Sequence, residues 1–243
     1  MHIVNEEEIL IIPDVHGRSF WKEPCNNWEG DIIFLGDYHD PYYSPYEDES
    51  DTNISPKTSL ENLKELVKFY EEADLSSRII IFLIGNHDLS YLSRHNTCRY
   101  DYIQHREVED CLDKLPLQFY IEFWNNYEIP TKKYLFSHAG ITKDWLDKYS
   151  LKLKDLNTLS YNDKALDDVP YSRGGDSYTG SCVWISEEDY ELSDHLPDYY
   201  QIFGHTWGGR IKPIINDDYA MLDCCKPFIL NMSTGKIREY GRN

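Results

Sequence analysis

The chain has 243 residues, with 43 Asp and Glu against 24 Lys and Arg and a formal net charge of −19. Its 41% apolar and 14% aromatic content supplies a core and excludes global disorder, and an acidic balance without a Lys/Arg run excludes a non-specific nucleic-acid binder. No stretch approaches the ~20 apolar residues of a membrane span, the N-terminus lacks a secretory pattern, and the six cysteines have no zinc-finger spacing, so a reduced, cytoplasmic protein off the membrane is expected.

Taken in chain order, five short apolar runs bounded by turn residues predict buried strands at 9–12, 32–35, 78–84, 134–136 and 201–203. The residues just beyond each run carry more information than the run itself. The first enters Asp14-Val15-His16-Gly17 and the second Gly36-Asp37-Tyr38-His39-Asp40. The third ends at Gly85-Asn86-His87-Asp88, the fourth at Ser137-His138-Ala139-Gly140, and the fifth at Gly204-His205-Thr206. Ligands bind at C-terminal strand ends in open α/β sheets, so five such ends in order point to one polar site.

Other segments frame that site. The polar stretch 41–56 reads as a long surface loop. Leu60, Leu63, Leu66, Val67 and Tyr70 fall at helical spacing and predict a helix over 59–73, with Thr58 or Ser59 as N-cap. Segments 211–215, 219–223, 228–231 and 236–240 alternate with turn signals and predict antiparallel strands closing the sheet. Cys224-Cys225 is expected in a buried strand. Residues 1–243 read as one domain, with cap-like segments at about 89–130 and 143–195.

The side chains at the five strand ends are carboxylates, an amide and imidazoles, a donor set suited to Zn, Mn or Fe, with no thiolate among them. They are too many for one catalytic ion, which takes about three protein ligands. A shared Asp suits two ions ~3.5–4 Å apart, able to clamp a phosphoryl oxygen and bind the attacking hydroxide. A lone Asp-x-His or Gly-Asp turn would be ordinary turn chemistry; the conjunction of five is not.

The series DVHG, GDYHD, GNHD, SHAG and GHT over 13–206 resembles the calcineurin-like metallophosphoesterase superfamily, closest to its phosphoprotein-phosphatase branch with diadenosine-tetraphosphatase-like relatives. The resemblance implies a four-layer α/β/β/α sandwich with two central mixed sheets. It implies Asp14 and His16 on a first ion, Asp37 bridging, and Asn86, His138 and His205 on a second. His87 would be the general acid, oriented by Asp40, with Asp88 as outer support. The missing second His after Gly204-His205-Thr206 matches that branch. Against it, Pro41-Tyr42 stands where the branch carries a phosphate-gripping Arg. Arg173, followed by Gly174-Gly175, and Arg94 are the candidate substitutes. His39 could also face substrate, and Tyr42, Tyr43 or Tyr46 could stack on a nucleobase.

The expected activity is hydrolysis of a phosphomonoester or small phosphorylated substrate by metal-bound hydroxide, using two divalent ions. Mn²⁺ is expected, with Fe, Zn, Ni or Mg as alternatives. The alternative substrates are a dinucleoside polyphosphate or other nucleotide, or a phosphoprotein; an inactive metal-binding scaffold is the non-enzyme alternative.

Overall fold

In the computed structural model, which describes residues 8–48, 50, 52–93, 99–124, 133–206 and 212–241, alternation along β1 (Glu8–Ile12) sets the layering. Successive strand residues point to opposite faces, and the two faces of β1 enter different cores. Leu10 and Ile12 pack with Ile32, Phe34 and Phe82 against Leu60, Leu63, Leu66 and Val67. Ile9 and Ile11 pack with Ile33, Leu35, Ile81 and Leu83 against Phe123, Phe136 and Ile202 of a second sheet. Near-continuous apolar runs are what strands buried on both faces require.

The remaining strands are β2 (Ile32–Phe34), β3 (Ile80–Leu83), β4 (Leu117–Gln118), β5 (Tyr120–Trp124), β6 (Lys133–Ser137), β7 (Tyr199–Phe203), β8 (Ile214–Ile215), β9 (Tyr219–Met221), β10 (Phe228–Asn231) and β11 (Ile237–Glu239). The first sheet runs β11-β10-β1-β2-β3-β4 and the second β5-β6-β7-β9-β8. β1, β2 and β3 are parallel, with Leu10 opposite Ile32 and Ile32 opposite Ile80. β6 and β7 are parallel in the second sheet. Each sheet therefore presents consecutive C-terminal strand ends on one edge.

The helices are α1 (Lys22–Asn27), α2 (Pro56–Glu72), α3 (Asn86–Leu92), α4 (His105–Leu112), α5 (Lys143–Tyr149) and α6 (Glu187–Leu192), with 3-10 turns at Leu153–Thr158 and Tyr171–Arg173. α2 and α4 cover the first sheet through Leu60, Leu63, Val108 and Leu112. α5 covers the outer face of the second through Trp145 and Leu146. The result is the α/β/β/α order expected from the resemblance. None of the helices described is long and apolar enough to cross a membrane.

The structure departs from expectation in five places. α2 begins at Pro56, and Ser55 is its cap, its hydroxyl accepting from the Thr58 N–H. Proline lacks the N–H that a first-turn position leaves unused anyway, so it extends the helix upstream. β4 and β5 fall inside the expected cap segment 89–130 yet lie in the two sheets; their mixed polar pattern hides a strand buried unevenly. β9 pairs parallel with β7, so the closing strands are not all antiparallel. Cys224 and Cys225 sit in a bend after β9, with Cys225 at φ 56°. Finally, His39 is buried and hydrogen-bonded to Ser59 of α2 at 2.7 Å, so it anchors the loop and does not face a substrate.

Candidate metal centre

The turns after β1 and β2 are stitched together by backbone hydrogen bonds, as are those after β6 and β7. The His16 N–H donates to Asp37 O at 2.6 Å, Gly17 to Tyr38 O at 3.0 Å, and Gly204 to His138 O at 2.7 Å. These turns hold unusual backbone. Among the described residues, His16, Asp37, Asp40 and His205 account for four of the six non-glycine positions with positive φ. Each such conformation costs on the order of 1–3 kcal/mol and persists where the surroundings over-determine it. Two glycines explain the close packing. A Cβ on Gly85 would collide with the Asp37 carboxylate, and one on Gly204 with the Asp14 carboxylate. The Gly that precedes Asn86 and the Gly that precedes His205 are thus required by the side chains they face.

Six of the sequence candidates converge there. Asp14, His16 and Asp37 bring one donor atom each within 4.8 Å of one another, and so do Asp37, His138 and His205, so the two groups share Asp37. Asn86 joins the second: its Oδ1 lies 3.2 Å from His138 Nε2 and 3.1 Å from His205 Nδ1. The tautomers follow from the far side of each ring. His138 Nδ1 donates to Leu35 O at 2.8 Å and His16 Nδ1 to His39 O at 3.2 Å. Their Nε2 atoms are therefore bare lone pairs, each 3.5 Å from Asp37 Oδ2.

Electrostatics agree with this picture. Burial pushes His16, His138 and His205 below the usual imidazole range, which keeps the rings neutral. Burial also raises Asp14, with the Asp223 and Asp37 charges adding to it. Burial opposes ionisation of Asp37, and positive charge on the surrounding His138, His87, His16 and His205, wherever those rings are protonated, works against burial and lowers its carboxyl. Lone pairs facing a carboxylate and an amide oxygen across 3.2–3.5 Å repel unless a cation lies among them. His205 Nε2, buried with no partner, adds a further unsatisfied donor atom. The donor set fits hard or borderline divalent ions with neutral imidazole and carboxylate ligands.

Around this cage stand groups of a different kind. His87 Nδ1 donates to Asp40 Oδ2 at 2.7 Å, and the Tyr91 hydroxyl donates to the other carboxylate oxygen. Asp88 accepts from the backbone of Asp37 at 2.7 Å, Tyr38 at 2.9 Å and Gly85 at 2.9 Å. It fastens the second turn to the third. Arg173 is exposed at the end of its 3-10 turn and lines the same cleft, about 220 Å³ in volume, as His16, Asp37, Asn86, His87 and His205. Arg94 lies outside the described residues.

Sequence reasoning missed three groups. Arg99 lines the cleft, its guanidinium 3.6 Å from the centre of the Tyr42 ring and its Nη2 3.1 Å from His87 Nε2. Trp184 sets its ring edge against His205 at 5.9 Å. Asp223, after β9, is buried beside the cage; burial and the Asp37 charge raise its carboxyl to about 7 against the opposing pull of Arg18. None sits in a strand-end motif, so no local pattern marks them.

The family model for calcineurin-like phosphoesterases matches residues 8–208. In structure the chain is similar to the cold-active protein-tyrosine phosphatase of a psychrophilic Shewanella species, at 16% identity and a TM-score of 0.59, over 98% of this chain and 81% of that one. It is likewise similar to a mutant cold-active protein tyrosine phosphatase, at 17% identity and a TM-score of 0.61, over 98% and 81%. At these identities the likeness bears on the fold. No curated protein matches the chain.

Proposed function

The chain belongs to the calcineurin-like phosphoesterase family, and we propose that it is a metal-dependent phosphatase that hydrolyses a phosphomonoester or another small phosphorylated substrate with two divalent ions. Asp14, His16 and Asp37 hold one ion; Asp37, Asn86, His138 and His205 hold the other. Such a pair, when bound, polarises phosphoryl oxygens and makes water nucleophilic at neutral pH. Manganese is the first ion to test, with iron, zinc, nickel and magnesium as alternatives. The observation that carries the reading is the pair of bare Nε2 atoms of His16 and His138 facing Asp37 and Asn86.

The chain's other residues bind and protonate. His87, protonated at Nε2 once the contact from Arg99 Nη2 gives way to substrate, passes that proton to the leaving oxygen, while Asp40 holds the opposite nitrogen and so fixes the ring. Arg173 grips phosphate oxygens, since among the described residues no carboxylate pairs with it. Arg99 supplies the second guanidinium. Pro41-Tyr42 removes the arginine expected at that place, and Tyr42 instead stacks on one brought from another segment. The Arg99 Nε is buried with no partner, and no carboxylate neutralises the group among the described residues. All five cysteines described are free, which supports a reducing, cytoplasmic setting.

The test is a substrate screen on metal-stripped protein resupplied with Mn²⁺, across phosphomonoesters, diesters, phosphopeptides and dinucleoside polyphosphates. The reading expects turnover only with metal and the best kcat/KM on small monoesters or nucleotides. Phosphopeptides or diesters as the best substrates would overturn it.

A further inference from the structure

Arg18 follows His16 and Gly17 in the turn after β1, and nothing in the hydrolytic centre uses it. Its side chain is only 6% exposed. Its one described hydrogen bond, to Val15 O at 3.5 Å, is at the outer limit for such a contact. Among the described residues no carboxylate lies within ion-pair distance of it. The charges of Asp223 and other buried acids account for a cation in this neighbourhood, but not for a guanidinium with five N–H donors and one long bond.

The guanidinium lines a cavity of about 160 Å³, with Ser19, Phe20, Thr52 and Cys225 as the other walls. That is room for several waters or a tetrahedral anion. Ser19 and Thr52 are exposed, so hydroxyl donors stand at an open mouth. The cavity adjoins the hydrolytic cleft across one side chain: Arg18 lies 5.7 Å from the Tyr42 ring centre, and Tyr42 lines the cleft. In a chain of net charge −19, Arg18, Arg99 and Arg173 gather around one ring and one cleft. Two guanidiniums suffice for the phosphate being hydrolysed.

We propose that the Arg18 cavity holds a second phosphate of the substrate, so that the enzyme acts on molecules carrying two phosphate groups. This rests on the phosphatase reading above. One phosphate is hydrolysed at the strand ends; the other is gripped by Arg18, in the bidentate manner guanidinium favours, with the Ser19 and Thr52 hydroxyls donating to it. The body of the substrate passes over Tyr42.

The experiment measures kcat/KM on the Mn²⁺-loaded full chain for two matched pairs: fructose 1-phosphate with fructose 1,6-bisphosphate, and AMP with adenosine 3′,5′-bisphosphate. In at least one pair the second phosphate should raise kcat/KM by about tenfold or more, the effect of one charged hydrogen bond, chiefly through a lower KM. Added salt should shrink the preference. Arg18→Met should bring the ratio towards one. Ser19→Glu, which places a negative charge at the exposed mouth without touching the core, should do the same and carries the test if Arg18→Met does not fold. Ratios near one in the unaltered enzyme for both pairs, or a preference that survives Ser19→Glu and a folded Arg18→Met, would overturn the second-phosphate site. Absence of turnover on all four compounds and on p-nitrophenyl phosphate would instead overturn the phosphatase reading.

Discussion

Asp14, His16, Asp37, Asn86 and His138 are buried and locked by the backbone of strand-end turns, whereas Arg173 is exposed and Arg99 is held over the cleft by stacking on Tyr42. The cage has little freedom: a Cβ at Gly85 or Gly204 would strike a carboxylate. The rim can change residue and segment while keeping its charge. On the proposed reading, Arg99 stacked on Tyr42 takes the place of an arginine at position 41. Under the proposed function, the cage sets the reaction type and the rim the choice of substrate.

The sharpest way to break that division is Asp37→Asn. Both donor groups share Asp37, so activity should vanish and elemental analysis should find at most one ion where the parent holds two. Two tightly held ions with activity intact would refute the bridge. Next in size is His87→Asn, which should keep both ions and lose roughly 10²–10⁴ in rate. The loss should shrink for p-nitrophenyl phosphate, whose leaving group needs little protonation; equal losses across leaving groups would remove His87 from that role. On the rim, Arg173→Ala and Arg99→Ala should each lower kcat/KM by about one to two decades, equivalent to ~1.5–3 kcal/mol for a charged hydrogen bond, with metal content unchanged. Loss of metal in either variant would erase the distinction between cage and rim. Smallest, Ser55→Ala should cost ~1 kcal/mol in a denaturant melt through loss of the α2 cap and leave kcat unaltered; α2 belongs to the frame and not to the chemistry.

The same contrast explains what the sequence can disclose. Asp14, His16, Asp37, Asn86, His138 and His205 come directly after apolar runs, and a parallel strand delivers its next few residues to the sheet's C-terminal edge. The link from His87 to Asp40 is legible through the resemblance of the GDYHD and GNHD motifs to the family. Arg99 and Trp184 reach the cleft from loops whose path depends on tertiary packing, and no spacing encodes that. Asp223 is hidden differently: the strand pattern runs on through 223, whereas β9 ends at Met221 and the chain bends to bury the carboxylate beside the cage. The cap of α2 is ambiguous in sequence because Ser55, Thr58 and Ser59 all qualify by type, and only Pro56 at the first helical position selects Ser55.

The central claim, two ions sharing Asp37, is tested most directly by anomalous diffraction from crystals grown with Mn²⁺. The account predicts two peaks about 3.5–4 Å apart, one beside Asp14 and His16, the other beside Asn86, His138 and His205, with Asp37 touching both. A single peak, or two peaks of which only one contacts Asp37, would contradict it.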